Sequence, residues 1–478
     1  MKPIRLSVFT EGEKQRIHRA TLEVLDTIGV RVYDDELRRL MHRQGARVDD
    51  FAGDVKLSPG LVMESLAAAP KRFNLMDRKG KMLPIPTGEA YIGSRVLLPK
   101  TLDYGADKPR APVLEDVLQA CQIANALDEV DLVLRTDTPV SDIQAPAEFN
   151  GLLSIETVVT YTAKHILCIP VDYEAAKDWI VVAEAATQRW DLAKEPIMTM
   201  AVAATSPLQL DQESSRILKL SAEKGIPVEA EPMPAGGGTA PVTTAGEIVV
   251  MNAETLFIIV ARQMVNPGCP TFYGGIPCTF DLQTGIISES SPEFPLMVSG
   301  VLEMGRFYGL PLMSPTNYTD SLTFDAQCGA EKIMASFASL VSGADIIYGA
   351  GDLDNAYVLS LEQIIIGLDL VLAARRFVDG ITVDDARLAM NAIRRVGPAR
   401  HYLDDPHTLR FMRSGERLAP RSYNRLGHRS KSKGQLEKAH EIVGAITSVP
   451  AEPVISEAAM TRIKSAVKMR KHEIMAAA

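Results

Sequence analysis

The sequence predicts an α/β protein, a closed (β/α)8 TIM barrel with a helical region before it and a helical extension after it. Three observations lead there. Eight short apolar runs recur between residues 91 and 351, each is followed by a stretch of helical periodicity, and no GxGxxG turn joins a run to its helix. Strands covered on both faces read as unbroken apolar runs, and eight such units over roughly 285 residues are what a closed barrel needs. The missing glycine fingerprint disfavours the runner-up, an open doubly wound sheet; the GGG at 236–238 does not supply it.

Residues 1–88 begin with EKQRIHRATLEVLDTIGV, DDELRRLMHRQGARVD and LSPGLVMESLAAAP, where apolar residues recur at three and four, and they are expected to form a helical region. The barrel is expected over 89–376. Its strands are read in YIGSRVLLP, VDLVLRTD, HILCIPVD, PIMTMAVAA, IPVEAE, PTFYGGI, LPLMSPT and ADIIYGAG. The helices that follow them are VLEDVLQACQIANAL, NGLLSIETVVTYTA, EAAKDWIVVAEAATQ, DQESSRILKLSAEK, GEIVVMNAETLFIIVARQMV, SPEFPLMVSGVLEMGRFYG, DAQCGAEKIMASFASLVSG and SLEQIIIGLDLVLAARRFV. Residues 377–478 are left as an extension that packs on the barrel or on a partner.

Composition narrows the function. A net charge of −9 and a pI near 5.5 give no electrostatic footprint for nucleic acid or an anionic membrane. The start, MKPIRLSVFTEGEK, lacks the apolar core of a signal peptide, and no apolar run is expected to reach the ~20 residues of a membrane span, so the protein is expected in the cytoplasm. Cys121, Cys168, Cys269, Cys278 and Cys328 form no CxxC pair and read as buried small apolar residues, and no metal site is expected. The basic run RLAPRSYNRLGHRSKSKG reads as a solvated face, or else as a docking surface.

A TIM barrel builds its active site from the loops at the C-terminal ends of its strands. Those loops supply Thr101, Asp103, Tyr104, Asp137, Asp172, Tyr173, Thr205, Ser206, Gln209, Glu229, Glu231, Tyr273, Asp281, Asn317, Tyr318, Asp320, Ser321, Tyr348, Asp352, Asp354 and Asn355. The expected mouth is acidic and aromatic, with almost no lysine, arginine or histidine. A phosphate site would need those cations, whereas carboxylates among tyrosines suit a cation, above all a methylated ammonium within about 6 Å of aromatic faces. The competing reading is that single carboxylates merely cap helices, as expected for Asp325, with Ser360 in the same position.

Four segments carry a family resemblance: LDYGADKPRAPVLEDVLQACQIANALDEVDLV, TDSLTFDAQCGAEK, YGAGDLDNAYVLSLEQIIIGLDL and HYLDDPHTLRFMRS. Through them the chain resembles the trimethylamine methyltransferase family of corrinoid-dependent amine methyltransferases, from the N-terminal helices to about residue 445. The resemblance implies a barrel that takes a methylated amine and passes its methyl group to Co(I) of cobalamin. That corrinoid is carried by a separate protein, so no tightly bound cofactor is expected in this chain. The family's trimethylamine enzymes carry pyrrolysine near the mouth. This chain has only the twenty standard residues, which points to a non-pyrrolysine member similar to a glycine betaine enzyme.

Chemistry agrees with a quaternary donor, because attack on its methyl group expels a neutral amine and needs no proton donor, and none is evident in the sequence. Tyr104, Tyr273, Tyr318 and Tyr348 are expected to cage the cation. Glu231, Asp320 and Asp352 are the expected catalytic carboxylates, complementing its charge or orienting the cage. Asn317, Thr239 and the amides of the loop containing Gly237 are the candidates to hold a betaine carboxylate. The expected partners are a small quaternary amine, a corrinoid protein and further copies of the chain, with neither nucleic acid nor membrane. A non-catalytic quaternary-ammonium sensor on the same fold is the alternative. An aldolase would want a strand-end lysine, for which only Lys100 serves, and a hydrolase a metal or histidine cluster.

Overall fold

The computed structural model describes residues 4–143, 147–187, 191–425 and 433–477. Eight parallel strands stand where the apolar runs predicted them: β1 Tyr91–Leu97, β2 Leu132–Thr136, β3 His165–Ile169, β4 Met198–Val202, β5 Val228–Ala230, β6 Thr271–Tyr273, β7 Met313–Pro315 and β8 Ile346–Ala350. They pair in the order β6-β5-β4-β3-β2-β1-β8-β7. A single bridge, Tyr273 to Leu312, and the bond from the Tyr273 N–H to Pro311 O (2.8 Å) join β6 to β7 and close the barrel.

Around it lie α1 Leu114–Ala126, α2 Ala147–Tyr161, α3 Tyr173–Ala186, α4 Gln212–Glu223, α5 Thr244–Val265, α6 Phe294–Phe307, α7 Ala326–Ser342 and α8 Leu361–Val378. Their starts are chemically marked. Asp172, Asp211 and Asp325 each accept a backbone N–H three residues on, which satisfies an amide that has no partner inside the helix. Ser360 occupies the same position before α8 but donates to Glu362 instead.

Residues 11–68 cover α5 from outside with helices Glu11–Glu23 and Pro59–Ala68, and the Asn252 amide donates to Thr21 (2.8 Å) at that junction. A helix covered on every side is apolar all round. Hence α5 is long and apolar enough to cross a membrane, against the expectation that no run reaches that length, yet 83% of that window is buried inside the protein. The N-terminal region also differs from an all-helical one. Val30–Val32, Arg47–Asp49, Asp54–Lys56, Phe73–Met76 and Met82–Ile85 are strands, each too short for its alternation to register.

The last two of these form a hairpin that plugs the N-terminal end of the barrel. Phe73 meets Phe272 edge-on at 4.9 Å, and Met76 O lies 3.0 Å from His165 Nδ1. Because a carbonyl only accepts, Nδ1 carries the proton and Nε2 accepts from Thr199 (2.9 Å); burial pushes the imidazole down to about 4.

At the opposite end two small sheets rim the barrel, Ala235–Gly236 with Cys278–Asp281 and Ile286–Ser288, and Asp352–Leu353 with Val358–Leu359 and Lys100–Thr101. Asn355 clasps them together: its amide donates to Ile287 O (2.9 Å) and accepts from the Glu289 N–H (3.1 Å). The final helix, Glu457–Ala477, packs on α2 and α3, where the buried Arg470 reaches Asp178 (2.5 Å) and Glu174. Part of the predicted basic run, residues 426–432, and Gln188 at the end of the third predicted helix lie outside the described residues.

Candidate active site

Strand alternation decides which side chains enter the barrel, and on β5 it selects Glu229 and, two residues on, Glu231. Tyr348 of β8 reaches both from the far side: its Oη lies 2.6 Å from Glu231 Oε1 and 3.0 Å from Glu229 Oε1. A hydroxyl has one proton to give. It donates to one carboxylate, and the other carboxyl must carry a proton and donate back. Burial raises both carboxyls, and Glu229, which also feels the charge of Glu231, is raised the further, so the proton is assigned to Glu229. The pair is tightly set, since a Cβ at Gly274 would lie 2.5 Å from Glu229 Oε1.

Beside it stands a cation that the sequence reading left out of the mouth. Arg95, on β1, is 3% exposed, and Nε faces both oxygens of Asp352 at 3.2 and 3.1 Å. Nη1 donates to Thr136 (3.2 Å) and Nη2 to Tyr318 Oη (2.8 Å), while the guanidinium sits 5.7 Å from the Tyr318 ring centre. Burial works against the Arg95 charge, but Asp352 holds its pKa above normal; burial in turn lifts Asp352 to about 6. The rings of Tyr318 and Tyr348 are 6.4 Å apart at 62°.

A further carboxylate was missed altogether. Glu289 follows the strand Ile286–Ser288 and is buried, with its pKa pushed up to about 8 by desolvation, Arg95 opposing and Asp352, Glu231 and Asp320 adding to the rise. Asp320 joins through Ser288 Oγ (2.5 Å), and burial raises it too. Three oxygens of this group, Glu229 Oε2, Glu289 Oε2 and Asp320 Oδ1, are buried without a hydrogen-bond partner. Buried acceptors in that condition are costly, about 1–3 kcal/mol each, and mark where a ligand is wanted.

Of the predicted site residues, the structure brings together Glu231, Asp320, Asp352, Tyr318 and Tyr348. It does not bring in Tyr273, which alternation turns outward so that its hydroxyl donates to Asn252 (2.8 Å) on α5. Tyr104 is 44% exposed and stacks at 3.7 Å on His440 of the helix Gln435–Thr447. Asn317 points between α7 and α8, donating to Ser336 and Gly367 O (both 3.3 Å). The amides of Gly237, Gly238 and Thr239 all donate within their own turn, to Ala240 O and Ala235 O, and Thr239 Oγ1 accepts from the Ala235 N–H (2.9 Å).

Other predicted mouth acids also have structural work: Asp172 caps α3, Asp103 binds Arg110, and Asp137 pairs with Arg135 and accepts from Trp179. To the expectation of a mouth with almost no arginine the structure adds one, Arg95. Against the expectation that no proton donor is evident stand Glu229 and Glu289, whose carboxyls burial raises. All five cysteines are buried free thiols.

Comparison with other proteins gives three findings. The sequence profile of the trimethylamine methyltransferase family matches residues 2–474. The trimethylamine methyltransferase of Methanosarcina barkeri (strain Fusaro / DSM 804) is 34% identical over 414 residues, 84% of this chain and 82% of that one; the glycine betaine methyltransferase of Desulfitobacterium hafniense (strain Y51) is 27% identical over 484 residues, 98% of each. The crystal structure of the Methanosarcina barkeri monomethylamine methyltransferase shares the fold, with a TM-score of 0.53 at 13% identity over 96% of this chain and 92% of that one.

Proposed function

From the premise that this chain belongs to the trimethylamine methyltransferase family, we propose that it moves a methyl group from a quaternary ammonium donor to Co(I) of a corrinoid carried by a separate protein. The observation that supports this reading is the charge of the mouth. Glu231, Asp320 and Asp352, with Glu229 and Glu289 as reserve acids, face one arginine and two tyrosines, so a bound organic cation would supply the positive charge the group lacks. In the transfer the nucleophile attacks the methyl carbon, the C–N bond breaks, and its electron pair leaves with a neutral tertiary amine. The chain's own part is to hold nitrogen and methyl carbon in line and to keep water out. The corrinoid is a second substrate in this reading, and the chain holds no cofactor of its own.

One observation favours a second donor class. Glu229 and Glu289, held as neutral acids, can protonate an amine that arrives uncharged, which brings trimethylamine into the reading. The test is anaerobic: free Co(I) cobalamin is mixed with the protein, and conversion to methyl-Co(III) is followed by absorbance with glycine betaine, carnitine, proline betaine, choline and trimethylamine in turn. Methylation by a quaternary amine supports the proposal, and methylation by trimethylamine alone supports the second reading. Binding of an amine by calorimetry without methylation would make the protein a sensor and overturn both.

A further inference from the structure

The proposed function leaves the donor's other end open, and glycine betaine was the sequence-based expectation. A betaine carries a carboxylate, and a site for it must supply donors or positive charge. The residues expected to do so are committed elsewhere: Asn317 to the α7–α8 layer and the amides of Gly237, Gly238 and Thr239 to their own turn. The charge of Arg95 is matched by Asp352, with further bonds to Thr136 and Tyr318, and the buried Lys332 donates to Gln363 (2.9 Å).

The unpartnered buried oxygens point the same way. Glu229 is 0% exposed and turns its proton toward Tyr348 through Oε1, so its free Oε2 is an acceptor, as is the free oxygen of Asp320; Glu289, 9% exposed, serves either sign and decides nothing. The hydroxyls of Ser290 and Ser291 are also unpartnered, but a hydroxyl serves either sign and does not decide the matter. A donor's carboxylate placed here would stand beside Glu231 and Asp320, like charges in a medium where they are poorly screened, which is discrimination by repulsion as well as by attraction.

We propose that this site selects methylated ammonium donors that carry no carboxylate of their own, and that the pair Glu229 and Glu231, bridged by Tyr348, determines that specificity. The inference rests on the proposed function and narrows its substrate class to compounds such as choline or simple tetraalkylammonium ions. Glu231, which burial lifts less than Glu229, supplies the negative charge against which the cation is placed. Glu229 keeps a second charge in reserve, one proton away.

Calorimetry on the full chain at pH 7.5 tests it, with tetramethylammonium, choline, glycine betaine and the uncharged choline isostere 3,3-dimethylbutan-1-ol as probes. The expected result is that tetramethylammonium and choline bind at least tenfold tighter than glycine betaine and than the neutral isostere. Glu231→Gln should lower the affinity for both cations tenfold or more and narrow the gap to glycine betaine. Glu231→Asp, which keeps the charge, should restore the preference, and its thermal melt shows that the fold is retained. Glycine betaine binding as tightly as choline, or tighter, overturns this inference alone. Failure of all three ammonium compounds to bind overturns the proposed function with it.

Discussion

Tyr348 and Glu231 meet across the barrel at 2.6 Å, one from β8 and the other just past β5, and the same hydroxyl touches Glu229 at 3.0 Å. Two protons, one from the hydroxyl and one from a carboxyl, therefore link three buried oxygens. The mouth is set to exchange a proton for a cation.

Tyr348→Phe removes that shared hydroxyl and nothing else. It leaves Glu229 and Glu231 facing each other without their common partner, a loss of about 1–3 kcal/mol for buried groups. Urea denaturation should show that drop, and kcat/KM for methyl transfer should fall by up to about 100-fold, the cost of misplacing the carboxyls that position the donor. Lost stability with unchanged turnover would make Tyr348 a purely structural residue.

Arg95 and Asp352 form a buried ion pair, 3% and 0% exposed. Arg95→Met strands the carboxylate and should cost about 3–5 kcal/mol, whereas the double variant Arg95→Met with Asp352→Leu should recover much of that loss. Denaturation of the single and double variants checks it. A double variant less stable than Arg95→Met would contradict the pairing.

The pH dependence has a definite sign. Burial pushes Glu289 and Glu247 up to about 8 and Glu254 to about 7. The folded chain keeps protons that the unfolded chain, with glutamates near ~4.3, has released, so stability falls as pH rises towards 8, by at most about 1.4 kcal/mol per group per unit. His165, buried and depressed to about 4, acts oppositely: its contribution is lost as pH falls from 6.5 towards 4. The melting temperature of the ligand-free protein should therefore be lower at pH 8.5 than at pH 6.5, with its optimum near the lower value. Choline affinity, measured by calorimetry, should rise over that interval, because the bound cation favours ionised carboxylates.

Gly349 has φ +115°, and a Cβ there would lie 2.8 Å from the Tyr318 ring. Gly349→Ala should cost about 1–3 kcal/mol through backbone strain and push Tyr318 away from Arg95. Lower melting temperature together with a raised KM is the expected outcome. A change in neither would show that the ring has room to move.

Arg470 fixes the last helix to α3 through Asp178 and Glu174. Arg470→Met should release Glu457–Ala477, which limited trypsin digestion would show as early cleavage at Arg462 or Lys464. Methyl transfer should persist, because the hydrogen bonds and ion pairs of Arg470 go to Glu174, Asp178 and Glu473 and to none of Arg95, Asp352, Glu229, Glu231 and Tyr348.

The eight strands could be read in the sequence because burial on both faces leaves unbroken apolar runs, and the acids capping α3, α4 and α7 punctuate them. What alternation does at the ends of those runs was harder to read. Tyr273 and Tyr348 both stand inside apolar runs that become strands, yet one faces outward to Asn252 and the other inward to Glu229 and Glu231, a difference of a single residue in register. Arg95 did carry a signal, a charge inside the apolar run YIGSRVLLP with no water-facing side to take it. Glu289 carried none, since ISESSPEF reads as an ordinary polar helix start. The N-terminal strands escaped because three or four residues are too few to display a period of two.

The barrel's closure is uneven, and this bears on how it breathes. Seven neighbouring pairs share full ladders, while β6 and β7 share one bridge at Tyr273 and Leu312. Local opening follows the line with the fewest backbone bonds, so in hydrogen exchange this seam should lose protection before the other barrel strands. β6 runs directly into the hairpin that carries Ser288 and Glu289. A transient parting of the seam therefore loosens one wall of the mouth while Arg95, Asp352 and the ladder from β1 to β5 stay in register, giving a small donor a way in that leaves the opposite wall in place.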